Sequence, residues 1–199
     1  MKDRIVEAAF ETLKEEGFAG TSARAIARRG SFNQALIFYH FGTLNDLLLA
    51  ALDKTSADRM AGYREAIQSS KSIDARIDVA TRLYREDLSS GRITVISELV
   101  AGSLARPDLA PEVVQRMEPW IDFTEEVLEE VLTGSPFQGL IPPRTLAFAV
   151  VALYLGVDLL SHLDQDNSRA EALFQLAAVV GPLIAPILTP DYSNEMTSD

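Results

Sequence analysis

The chain has 199 residues, no cysteine and a formal net charge of −11, from 18 basic and 29 acidic side chains. That composition excludes disulfides, a thiol nucleophile and a thiolate metal site, and an acidic molecule taken whole repels nucleic acid. A hydrophobic share of 47% with 24% charged residues is ordinary for a globular protein.

The charge is unevenly placed. Residues 1–50 hold six basic side chains, Lys2, Arg4, Lys14, Arg24, Arg28 and Arg29, against six acidic ones, so all of the −11 lies beyond them. An acidic body with a neutral end orients that end toward a polyanion, or the acidity simply maintains solubility. The opening residues scatter charges among apolar ones, which fits neither a signal peptide nor a membrane span. A cytoplasmic location is expected, in keeping with the missing cysteines.

Helical spacing dominates and strand-like alternation is scarce, so the expected fold is all-α with about nine helices. The first helix is predicted over residues 2–16, with Ile5, Ala8, Ala9, Thr12 and Leu13 on one stripe and Gly17 as its stop. Thr21 or Ser22 caps a second helix that turns Ala23, Ile26 and Ala27 inward and Arg24 and Arg28 outward. Gly30 breaks it, and a short third helix runs from about Gln34 to His40. Thr43 caps a fourth helix reaching past Tyr63 toward Gln68. A fifth helix ends at Ser89, Ser90 and Gly91, a sixth lies near 92–105, and a seventh follows Pro111 and reaches Leu132. Residues 133–144 hold two Gly and three Pro and read as the longest loop. The eighth helix is predicted over 145–163 and the ninth from Ser168, with Glu171 completing a capping box. Pro182 and Pro186 are expected to kink or end the ninth. Residues 191–199 read as a frayed tail.

The stretch Thr21–Leu48, TSARAIARRGSFNQALIFYHFGTLNDLL, places two short helices around a glycine-containing turn. That is a helix-turn-helix, and its second helix fits the major groove. Asn33, Gln34, Ala35 and Leu36 come early in that helix and point into the groove. Phe38, Tyr39, His40 and Phe41 supply a phenol and an imidazole for phosphates, plus rings to lock the helix in place; the plain alternative makes them core aromatics.

Ile5, Ala8, Ala9, Gly17, Phe18, Thr21, Ile26, Ala27, the Tyr39-His40-Phe41-Gly42 block and Leu47-Leu48 together resemble the tetracycline-repressor (TetR) family of bacterial regulators. The resemblance covers about the first 50 residues. It implies a homodimeric, ligand-responsive transcriptional regulator on an inverted-repeat operator; a repressor is expected, though sequence does not separate repressor from activator, and the apolar C-terminal helices point to a small apolar ligand as the releasing effector. It implies an N-terminal three-helix DNA-binding domain over 1–46 and a helical effector-binding and dimerisation domain over 47–190. The DNA-binding set it implies is Thr21, Ser22, Asn33, Gln34, Ala35, Leu36, Phe38, Tyr39, His40 and Thr43. Asn33 and Tyr39 would hold phosphates with His40 beside them. Thr43 would open the fourth helix, whose N-terminus can receive a phosphate. The chain departs from the family where Leu44 replaces a frequent lysine and Ala25 a frequent acid.

In the C-terminal part, the eighth helix is apolar nearly all round and is expected to be buried on more than one face. Tyr154, Asp158 and His162 share a face at four-residue spacing. A carboxylate there is costly without a partner, so Asp158 marks the polar end of a ligand pocket, an interhelical pairing or an exposed helix end. Met60, Tyr63, Tyr84, Glu98, Trp120 and Phe123 join Tyr154, Asp158 and His162 as candidate ligand residues, each also readable as core. By the resemblance, the effector lies among helices 4 to 8, and the last two helices pair with their twins.

An enzyme is not expected. Only two histidines are present, with no glycine-rich phosphate loop and no H-E-x-x-H spacing, and no cofactor, metal or membrane partner is foreseen. The competing reading is a helical protein-interaction adaptor without DNA binding.

Overall fold

The computed structural model describes residues 1–70, 72–164 and 168–188, without the side chains of residues 55, 58, 162 and 164. Nine helices occur among the described residues, and no strand. They are α1 (Lys2–Gly20), α2 (Ala23–Gly30), α3 (Ala35–Phe41), α4 (Leu44–Gln68), α5 (Ile73–Ser90), α6 (Arg92–Ser103), α7 (Ala110–Leu132), α8 (Pro143–Asp164) and α9 (Ser168–Leu188). The tail from 191 lies outside the described residues.

Packing divides the chain into two compact units, Met1–Gly62 with Arg85–Glu118, and Tyr63–Tyr84 with the described residues from Pro119 on. In the first unit the predicted stripe of α1, Ile5, Ala8, Ala9, Thr12 and Leu13, is buried. Gly17 stands at φ 68°, ψ 178°, a conformation that suits glycine and interrupts the helix there. Ile26, Ile37, Leu47, Leu48 and Leu52 complete this core. A smaller cluster joins Leu49, Leu109 and Val113 to Phe18 and Val100. The Arg59 guanidinium pairs with Asp87 inside the unit, both side chains nearly inaccessible, and Arg92 approaches the same carboxylate at 3.5 Å.

In the second unit Tyr63 meets Trp120 edge-on, with ring centroids 5.4 Å apart. Tyr84 meets Tyr154 at 5.6 Å and Phe174 at 4.7 Å. The acidic face of α7 is tied down by arginines: Glu126 by Arg64, Glu130 by Arg76, and Asp122 and Glu125 by Arg144.

Four expectations need correction. Ala25, not Ala23, is buried on α2. Helix α8 begins two residues early, at Pro143, because proline at the first helical position lacks only an N–H that would be unpaired anyway. Helix α9 continues through Pro182 and Pro186 to Leu188. Ala178, whose carbonyl loses its donor at Pro182, is exposed, so water can serve it. Finally, α8 is not buried all round: Phe148, Leu153, Leu160 and Leu163 are exposed. Leu176, Val179, Leu183 and Ile187 of α9 are exposed as well. By length and composition alone, Pro143–Ser161 and Ser168–Leu188 could each cross a membrane.

Candidate nucleic-acid interface

Ser22 is the cap of α2, its hydroxyl accepting from the Ala25 N–H at 3.1 Å. Thr21 stands just outside, its hydroxyl donating to the Gly17 carbonyl at 2.6 Å. Gly30 is still helical, and the left-handed residue that ends α2 is Ser31, at φ 53°. Gly30 is required for a different reason: a Cβ there would lie 2.0 Å from the Phe32 ring.

Asn33 then folds its side-chain oxygen onto the Ala35 N–H at 2.9 Å, starting α3 while its amide NH₂ stays available. One residue on, Gln34 is exposed, as is Ala35, with Leu36 half-buried. Helix α3 is anchored by Ile37, which is fully buried and which the sequence pattern did not single out. That frees Phe38 and Tyr39, 48% and 82% exposed. The rings expected to lock the helix therefore face outward, apart from half-buried Phe41 beneath the Lys2 ammonium. The half-buried His40 stacks edge-on with Tyr39 at 5.0 Å. Gly42 closes α3 at φ 80°.

Thr43 caps α4 as expected, its hydroxyl accepting from the Asp46 N–H at 3.1 Å. The Asp46 carboxylate reaches back to the Thr43 N–H and hydroxyl, at 3.2 and 2.7 Å. This completes a capping box that was not among the sequence expectations. It also places a negative charge where a phosphate was expected to bind.

An open groove of about 540 Å³ runs along this surface, lined by Arg24, Ala27, Arg28, Ser31, Phe32, Asn33 and Gln34. Arg28 is drawn to Glu16 at 3.1 Å and Arg29 to Glu15 at 2.5 Å. The hydrogen bond between Glu15 and Arg29 holds the Glu15 carboxyl below its ordinary range and raises the Arg29 guanidinium. Arg24 is exposed and makes no ion pair among the described residues, so it is the groove's uncommitted cation.

The candidate ligand residues are divided between the two units. Met60 and Glu98 belong to the first unit; Tyr63, Tyr84, Trp120, Phe123, Tyr154 and Asp158 belong to the second. Glu98 is turned to α1, its Oε2 accepting the Phe18 N–H at 2.7 Å. Within the second unit Asp158 and Ser161 are buried on the same face of α8 as Tyr154. The Tyr84 hydroxyl is buried without a hydrogen bond of good geometry. Burial and the nearby Asp158 charge push its phenol up from the ordinary value. The His162 side chain lies outside the described residues.

Residues 5–51 match the family model of bacterial regulatory proteins of the tetR family. The HTH-type transcriptional regulator UidR of Escherichia coli K12 is 22% identical over 187 residues, 92% of each chain. The HTH-type transcriptional repressor Rv3405c of Mycobacterium tuberculosis is 47% identical over 49 residues, about a quarter of each chain. Among solved structures, the fatty acid degradation regulator FadR of Bacillus halodurans superposes with a TM-score of 0.76 at 16% identity, covering 90% of this chain and 97% of that one. Regulatory protein TetR of Rhodobacter sphaeroides gives 0.74 at 18%, covering 89% and 96%. The structural likenesses carry the fold, and the family match falls on the helices that build the exposed α3 surface. The relatives are regulators rather than enzymes, and residues 5–51 of this chain carry the segment that marks the tetR family of bacterial regulatory proteins.

Proposed function

We propose that this regulator is a repressor that holds a palindromic operator as a homodimer and leaves it on binding a small apolar ligand. The observation that carries the DNA-reading part is the outward face of α3. A tyrosine 82% exposed, beside a phenylalanine 48% exposed, follows directly on exposed Asn33, Gln34 and Ala35. Large rings left in water mark a binding surface. Gln34 suits adenine, Ala35 and Phe38 suit thymine methyls, and Asn33, Tyr39 and His40 suit phosphates. Thr21 and Ser22, at the start of α2, supply further backbone contacts to DNA. The DNA-binding domain in this reading is 1–46, and residues 47–190 bind the effector and dimerise.

The second copy is proposed to cover the apolar faces of α8 and α9. Apolar rows of this length on two neighbouring helices are an interface when the molecule is soluble, and a cytoplasmic location follows. For the effector, Tyr84, Tyr154 and Asp158 form the favoured polar end, with Tyr63, Trp120 and Phe123 as aromatic lining.

Replacing Tyr39 with phenylalanine tests the α3 reading directly. The fold is expected to be unchanged, because the hydroxyl is exposed, while operator affinity falls about fivefold for a lost contact of roughly 1 kcal/mol. Unchanged affinity in fluorescence anisotropy at fixed low salt counts against the assignment.

A further inference from the structure

The break in α1 leaves one backbone group without its helical partner. At Gly17 the chain leaves helical geometry, so the Phe18 N–H can no longer donate to the carbonyl four residues back. The group that receives it comes from 80 residues away: Glu98 Oε2 of α6, at 2.7 Å. A backbone N–H on a carboxylate at that length is a strong, charge-assisted hydrogen bond. The surroundings are built for it. A Cβ at Gly17 would stand 3.0 Å from the same oxygen. One turn along α6, Gly102 lies so close to Phe18 that a Cβ would fall 2.2 Å from its ring. At the start of α6, a Cβ on Gly91 would fall 2.6 Å from the Lys14 side chain. Gly91, Glu98 and Gly102 thus form a line on α6 that receives the C-terminal part of α1.

We propose that Glu98 is a positioning residue for DNA recognition, fixing the α1 break against α6 and so setting the aim of α2 and α3. From the held Phe18 the chain is committed step by step. The Phe18 carbonyl accepts the Thr21 N–H at 3.2 Å, the Thr21 hydroxyl donates to the Gly17 carbonyl, and Ser22 caps α2. A shift at Phe18 is therefore passed to the first turn of the helix-turn-helix. Glu98 touches no DNA in this scheme; it acts through Phe18.

The inference rests on the two-half-site reading above, and the test separates the two. Full-length protein selects its operator from random DNA, and affinities are then measured on that operator and on versions with one or two base pairs inserted or removed between half-sites. Glu98→Ala is expected to bind the parent spacing about tenfold more weakly and to discriminate less between spacings. Glu98→Gln, whose amide oxygen can still accept the N–H, is expected to recover most of both. Gly102→Ala, which forces α6 away from Phe18 without touching Glu98, is expected to flatten the spacing profile in the same way; it serves if Glu98→Ala does not fold. Unchanged affinity and profile in Glu98→Ala overturn the proposal, as does an equal loss at every spacing that Glu98→Gln does not repair. An unaltered profile in Gly102→Ala overturns it too. If the unmodified protein is itself indifferent to spacing, the two-half-site reading fails, and affinity loss in Glu98→Ala with recovery in Glu98→Gln still decides this one.

Discussion

At the scale of single residues, the surface of α2 and α3 proposed to face DNA has few uncommitted cations. Glu15 and Glu16 already occupy Arg29 and Arg28, and Leu44 adds no charge at the start of α4. Arg24 is the cation of the groove that phosphate can engage without displacing a carboxylate. Arg24→Ala is therefore expected to weaken binding to specific and random DNA alike and to reduce the salt slope by about one. Titrating affinity against salt for both proteins measures this, and identical slopes would remove Arg24 from the interface. Much of this surface was legible in the sequence, because helix caps and the Asn33–Tyr39 run are local. The Asp46 capping box is equally local, yet Thr43 reads as a phosphate site when its partner three residues on is left out. Glu98 was not legible at all: its partner lies 80 residues away, and an acid among Val95, Ile96, Leu99 and Val100 reads the same whether it faces a ligand or a backbone N–H.

At the scale of elements, α4, α5 and α6 are joined by one buried charge pair. Arg59 of α4 and Asp87 of α5 lie inside the first unit, with Arg92 of α6 on the other carboxylate oxygen. Neutralising one partner of such a pair takes its opposite charge from the other, at a cost of about 3 kcal/mol or more. Asp87→Asn is expected to lower the urea midpoint by a corresponding amount without changing the slope. A loss below about 1 kcal/mol would show that the charge of Asp87 contributes little at this site. The helices themselves were predicted within a few residues because apolar spacing and Gly or Pro punctuation agreed. The misjudged ends have a common cause: proline was read as a breaker, whereas it starts α8 at Pro143 and sits inside α9, where exposed carbonyls can be hydrated.

At the scale of the whole molecule, the exposed faces of α8 and α9 lie on the two helices that the resemblance expects to pair with their twins. Periodicity shows that α8 is apolar nearly all round, but not whether its own chain or a second one covers the excess. Gly156 gives a clean probe, since a Cβ there has nothing within 4 Å in the single chain. Gly156→Leu is expected to leave the protomer folded by circular dichroism while shifting light scattering from dimer to monomer. If the Gly156→Leu protein stays dimeric at micromolar concentration, the interface must lie elsewhere. In the proposed dimer, two-fold symmetry turns a weak contact set into a usable one: each protomer presents one α3, so that paired half-sites a helical turn or more apart are engaged together.

The most direct test is selection of bound fragments from random DNA by the full-length protein, followed by stoichiometry on the enriched sequence. The expected result is an inverted repeat bound by an even number of protomers, whose enrichment is lost when Gln34, Phe38 and Tyr39 are replaced together by alanine. Recovery of no sequence preference, or a preference that survives the triple replacement, would contradict the assignment of α3 as the reading helix.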